Sequence, residues 1–241
     1  MRPTGLLSVT FRSLPFERII ELTVKAGLDG IEWGGDIHVP PGELKLAERI
    51  GQAARKAGLV NFSYGSYWRA DSEPEMIAET AAALGVQWIR VWAGKLPSAF
   101  CPPEIRRRTV AYLQKICRCS AGLRLQIAAE WHPNTLTDDA VSAAKLINEV
   151  DDDRFFCYFQ RDWERDNRRE LDVFPLNRIR AVHVHYNVNR QRFPLSDGFD
   201  EWSRLLERIP EDAPALLEFV RNNSEEQFLA DACILKQLSG R

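Results

Sequence analysis

AGLDGIEW, Ala26–Trp33, is the stretch on which the fold turns. An amphipathic segment runs into Gly27, and an apolar one begins almost at once. Upstream, Phe16, Ile19, Ile20, Val24 and Gly27 fall on one face at helical spacing, with Pro15 tolerated in the first turn. Gly is the usual residue at a helix C-terminus because it takes positive φ without a Cβ clash. Gly30–Trp33 is too short and too apolar for another helix and reads as a strand. The same succession recurs in AGLVNFSY from Ala57, LGVQWIRVW from Leu84 and AGLRLQIAAEW from Ala121. Helix, glycine, strand, repeated roughly every thirty residues, is a βα repeat.

Followed along the chain, the rhythm predicts strands at Leu6–Phe11, Gly30–Trp33, Leu59–Tyr64, Val86–Trp92, Leu125–Glu130, Phe155–Gln160, Ile179–His185 and Ala215–Phe219. A helix follows each. The sixth, within the very polar RDWERDNRRELDVFP, is the weakest pattern, and the eighth opens on a capping box from Ser224 to Gln227. Eight such units over 241 residues, with no linker or change of composition, predict one α/β domain, a (β/α)8 TIM barrel. The competing open sheet would carry a glycine-rich dinucleotide loop after its first strand, and SVTFRSLPF, Ser8–Phe16, has no glycine.

Composition narrows the function. A formal net charge of −2 disfavours nucleic acid as a partner. No apolar run is long enough for a bilayer, and MRPTGLLSVTF does not read as a signal peptide. Five cysteines, an odd number without a CxxC pair, argue against a disulfide framework, and a cytoplasmic location is the expectation.

In a barrel of this kind the active site forms at the C-terminal ends of the strands. All four histidines fall there: His38 after strand two, His132 after strand five, His183 and His185 at the end of strand seven. Glu130 ends strand five and Glu218 stands near the end of strand eight. With the inward faces chosen by alternation, Glu130, Gln160, His183 and Glu218 converge from four consecutive strands. Two carboxylates, an imidazole and an amide oxygen suit a divalent cation, which would offset the cost of burying the acids. Singly, each has an ordinary reading as a strand-end polar residue; as a set at one face they point to a site.

The chain resembles the xylose isomerase-like TIM-barrel superfamily of sugar isomerases and epimerases, which also includes endonuclease IV-type enzymes. The resemblance spans essentially the whole chain. It is carried by GIEWGGDIH (Gly30–His38), IRVWAG (Ile89–Gly94), AAEWHPNTLTDD (Ala128–Asp139), AVHVHYN (Ala181–Asn187) and LLEFVRNNSEEQF (Leu216–Phe228). It implies one divalent ion (Mn, Mg, Co or Zn) held by Glu130, His183 and Glu218, with Gln160 where the family usually has Asp. It also implies a small sugar substrate and proton transfer beside a carbonyl, with Glu130 and Glu218 as the catalytic pair. His38, Arg90, His132 and His185 are expected at the substrate. Arg221, ahead of the last helix, is expected at an anionic group. Trp33, Trp92 and Trp131 are candidates for stacking on a sugar or for packing. Barrels of this sort often pair, so a homodimer is carried as an expectation. Gln160 keeps open a barrel without catalysis that binds a polyol or a partner. An endonuclease IV-type nuclease, which needs several metals and many histidines, fits four histidines poorly.

Overall fold

Strands covered on both sides must be apolar on both sides, and here they are. In the computed structural model, which describes residues 1–240, eight parallel strands close into a ring. They are β1 (Thr4–Leu7), β2 (Gly30–Gly34), β3 (Val60–Gly65), β4 (Trp88–Val91), β5 (Gln126–Glu130), β6 (Phe155–Gln160), β7 (Ile179–Val184) and β8 (Ala215–Leu217). β8 pairs with β1 to shut the ring. Eight helices alternate with the strands: α1 (Phe16–Ala26), α2 (Leu44–Lys56), α3 (Glu75–Leu84), α4 (Pro103–Ala121), α5 (Ala140–Val150), α6 (Asn167–Val173), α7 (Phe199–Leu206) and α8 (Glu225–Leu238). The expected TIM barrel is the fold.

Strand alternation separates two cores. Leu7, Phe62, Trp88, Ala128, Tyr158, Ala181 and Leu216 fill the barrel interior. Ile31, Trp33, Ile89, Ile127, Phe159 and Val182 pack outward, in the larger core that includes the helices. Two residues above the inner layer the character changes from apolar to polar. Trp88 is followed on its face by Arg90, Ala128 by Glu130, Tyr158 by Gln160, Ala181 by His183 and Leu216 by Glu218.

Two irregularities of register adjust this column. Ile31 pairs with Asn61 but Glu32 with Ser63, so Phe62 is an extra residue in β3. Cys157 pairs with Ile179 but Tyr158 with Ala181, so Arg180 is extra in β7. Such bulges re-aim side chains. The first brings Ser63 beside Glu32, and the second sets His183 level with Gln160.

Several local expectations are corrected. The first strand is Thr4–Leu7, and Ser8–Phe11 forms a 3-10 turn. There the Ser8 hydroxyl accepts from the Gly34 N–H at 2.8 Å, so a side chain rather than a strand meets the end of β2. Gly27 and Gly85 end their helices at φ 66° and 74° as expected, but Gly122 stays at −66° and Arg124 takes the left-handed turn. The capping box is half made: Ser224 accepts from Gln227 N–H, while the Gln227 amide turns to Asp231. Between β7 and α7 a short antiparallel hairpin pairs Asn187–Val188 with Gln191–Arg192.

Candidate active site

The strand order sets Arg90 of β4 between two acids remote in sequence, Glu130 on the adjacent β5 and Glu32 on β2. Its Nε donates to Glu32 Oε1 at 2.8 Å and its Nη1 to Glu130 Oε2 at 2.5 Å. All three side chains are almost wholly buried. The Trp92 indole N–H also donates to Glu130 Oε2. Ser63 and Tyr158 hydroxyls each donate to Glu32 Oε2 at 2.6 Å, and the Trp88 N–H donates to the Tyr158 hydroxyl. Burial alone would raise the carboxyl pKa values. Arg90 and His183 outweigh it, holding Glu32 down to about 2 and Glu130 well below the usual carboxylate range. Both are therefore ionised at neutral pH.

His183 stands at the centre. Its Nδ1 lies 3.3 Å from Glu130 Oε1 and 3.8 Å from Glu218 Oε2, and its Nε2 lies 3.5 Å from Glu32 Oε1. Beside it, His185 Nδ1 is 3.3 Å from Glu218 Oε2. Neither His183 nitrogen has a hydrogen-bond partner, nor does His185 Nδ1, although all three are buried. One ligand atom from each of Glu130, His183 and Glu218 falls within 4.8 Å of the other two. Three carboxylates (Glu32, Glu130, Glu218) against one guanidinium leave two negative charges in a closed space, of which a proton on His183 offsets only one. Burial opposes a charged His183, yet Glu218, Glu32 and Glu130 prevail and its pKa is pushed up to about 10. Orphaned imidazole nitrogens, two converging carboxylates and a deficit of positive charge fit a divalent cation of the Mg, Mn, Co or Zn class.

The remaining expected residues divide into those at the site and those elsewhere. Gln160 donates its amide N–H to the Trp131 carbonyl, which leaves Oε1 as its unengaged acceptor. With Trp131, His132, Arg161, His185 and Arg190, it lines a cavity of about 240 Å³ beside the cluster. His132 stacks on Trp92 at 4.3 Å between ring centres. Arg90 is not at a substrate-facing rim: both its acids enclose it, and it is 2% exposed. His38 is likewise committed to protein, with Nδ1 on Ser8 Oγ at 3.0 Å and Nε2 on the Leu14 carbonyl at 3.1 Å. Arg221 is exposed in the 3-10 turn before α8, and among the described residues no ion pair or hydrogen bond ties its side chain to the cluster. Of the tryptophans, Trp33 is fully buried on Asn61, Trp92 is covered by His132 and Arg69, and Trp131 borders the cavity.

Glu32 was not expected in the site. GIEW reads as an ordinary strand, but a carboxylate within a short apolar run is a signal close to the one that singled out Glu130 at the end of its strand. Ser63 and Tyr158 carried no such mark, because a hydroxyl is common in a buried strand.

Residues 20–238 match the family described as xylose isomerase-like TIM barrel, and the chain belongs to that family. A 3-dehydroshikimate dehydratase of Bacillus anthracis is 24% identical over 96% of this chain and 95% of its own length. The crystal structure of the probable 3-dehydroshikimate dehydratase from that organism superposes with a TM-score of 0.80 at 22% identity, covering 97% of this chain and 98% of the other. A D-allulose 3-epimerase from Methylomonas sp. follows at TM-score 0.74, with 15% identity and 98% of both chains covered. A xylose isomerase-like barrel from Mycobacterium smegmatis, solved in complex with magnesium, gives 0.73 at 14% identity, covering 100% and 97%. No helix among the described residues is long and apolar enough to cross a membrane.

Proposed function

We propose that this barrel is a metal-dependent enzyme that removes a proton beside the carbonyl of a small polyhydroxylated ketone and then expels a neighbouring hydroxyl as water. The observation that carries the reading is the convergence of Glu130, His183 and Glu218 within 4.8 Å, with both imidazole nitrogens buried and unbonded. Glu130, His183 and Glu218 would hold the ion, and the free Gln160 oxygen borders the adjoining cavity. A divalent ion supplies Lewis-acid polarisation of a carbonyl oxygen.

The two site carboxylates are not equivalent. Glu130 is pinned by Arg90 and Trp92, which favours its charged form and suits it to hold a cation. Among the described residues Glu218 has no guanidinium against it, and its ion-pair partners are His183 and His185. In this reading Glu218 takes the carbon-bound proton, and the electron pair of the broken C–H bond moves toward the carbonyl oxygen. When the pair returns, the bond to the neighbouring hydroxyl breaks, and His185 delivers the proton that lets the oxygen leave as water. The 24% identical dehydratase supports this outcome. The epimerase among the structural neighbours supports a second outcome, in which a proton returns to carbon as isomerisation or epimerisation.

Both share their first step, so one experiment separates them. The purified protein, loaded with Mn2+, Mg2+ or Zn2+ in D2O, is given 3-dehydroshikimate or a keto sugar. Dehydration yields an aromatic dihydroxybenzoate, visible by ultraviolet absorbance. Epimerisation yields deuterium at a substrate carbon without loss of water. Glu218→Gln is expected to lower either rate by about 10²–10⁴-fold. Absence of both water loss and deuterium uptake on every substrate tried with metal-loaded protein would count against the reading.

A further inference from the structure

His183 has an acid on each side, and the two sides differ. Nδ1 faces Glu130 and Glu218, whereas Nε2 faces Glu32. We propose that Glu32 is a positioning residue for the metal: with a cation bound it accepts the Nε2–H of His183, so that Nδ1 is the atom presented to a cation shared with Glu130 and Glu218. This rests on the metal-dependent reading above and extends it to a residue of β2 that touches neither the ion nor the substrate.

The surroundings of Glu32 are what that role needs. Its Oε2 is saturated by Ser63 and Tyr158, both at 2.6 Å, and its Oε1 takes Arg90 at 2.8 Å and turns its remaining capacity toward Nε2 at 3.5 Å. Four strands thereby hold one carboxylate still. Tyr158 also meets the His183 ring edge-on, with centroids 4.7 Å apart and planes at 60°, which resists the ring flip that would put carbon where each nitrogen now stands. A metal-ligating imidazole commonly gives its second N–H to a carboxylate, which sets the tautomer and makes the ligating nitrogen more basic. The competing account, Glu32 as counter-ion to Arg90 alone, leaves the approach to Nε2 unexplained. Arg90 already has Glu130.

The test uses zinc binding and the state of the ring. In long-range 1H–15N spectra of the zinc-loaded wild-type protein, His183 is expected to carry its proton on Nε2 and zinc on Nδ1. By titration calorimetry, Glu32→Gln is expected to bind zinc about ten- to hundredfold more weakly. Ser63→Ala, which frees Glu32 from one donor while leaving its charge, is expected to weaken zinc in the same direction and less. Should Glu32→Gln not fold, the wild-type spectra and Ser63→Ala still decide. Zinc on Nε2, a folded Glu32→Gln with unchanged affinity, or a wild-type protein that takes up no zinc overturns the inference. The two readings fail separately. Zinc held through Nδ1 and weakened in Glu32→Gln, without substrate proton exchange, sinks the proposed reaction and keeps Glu32 in its role. Metal-dependent exchange with zinc affinity unchanged in Glu32→Gln does the reverse.

Discussion

The two halves of the barrel mouth are built on opposite terms. Around Glu32 and Arg90, from β2 to β4, both oxygens of Glu32 and two guanidinium nitrogens are engaged within the protein. Around His183, His185 and Glu218, at the ends of β7 and β8, the buried Nδ1 atoms of both rings have no hydrogen bond at all. A buried polar atom without a partner costs about 1–3 kcal/mol. The contrast teaches which half is support and which half meets a ligand: an enclosed, satisfied network holds its geometry, while atoms left unbonded in a tight space are ready to bind.

The sharpest way to break this comparison is to remove the support. Arg90→Met leaves Glu32 and Glu130 buried without their cation and is expected to cost about 3–5 kcal/mol in urea unfolding. A cost under about 1 kcal/mol would show that the two halves do not differ as described.

The pH dependence of stability sharpens it further, because the halves titrate with opposite sign. Glu32 and Glu130 are depressed from an ordinary 4.5, so their contribution is complete above that pH and is lost as pH falls toward 2. His183 is raised from 6.5 to about 10, so its contribution is complete below 6.5 and is lost as pH rises through 10. Thermal melts of metal-free protein should therefore fall in midpoint between pH 7 and 9. Saturating zinc should flatten that decline, since a bound cation replaces the proton. A decline equally steep with zinc would mean that the cation is not at His183.

The smallest expected effect lies where the chain departs from the acid its resemblance leads one to expect. Gln160→Asp adds a negative charge beside the cluster at the loss of the amide bond to Trp131, and is expected to tighten Mn2+ or Mg2+ binding by about tenfold, on the order of 1.4 kcal/mol. Calorimetry on the two proteins measures it. Unchanged affinity would place residue 160 outside the coordination sphere.

Much of this was legible beforehand. The βα rhythm, the gathering of all four histidines at one end, and Glu130, His183 and Glu218 as a set all follow from periodicity and strand ends. Arg90 and His38 were placed at the right end but given the wrong contacts. Both side chains are spent on protein atoms whose approach depends on loops and on the closed ring. Glu32 could have been found, since the apolar-then-polar step two residues along each inward face is visible in WIR, AAE and AVH once the inward face is known.

By itself the chain determined its secondary structure and the end of the barrel at which chemistry gathers, because periods of 3.6 and 2 and helix-ending glycines are local properties. Only the tertiary structure decided the partners. Tyr158 on β6 reaches Glu32 on β2 across 126 residues of chain, because closure into a ring brings opposite strands within a side chain's reach. Two bulges, each a single extra residue, then choose which side chains meet, and no local pattern encodes that choice.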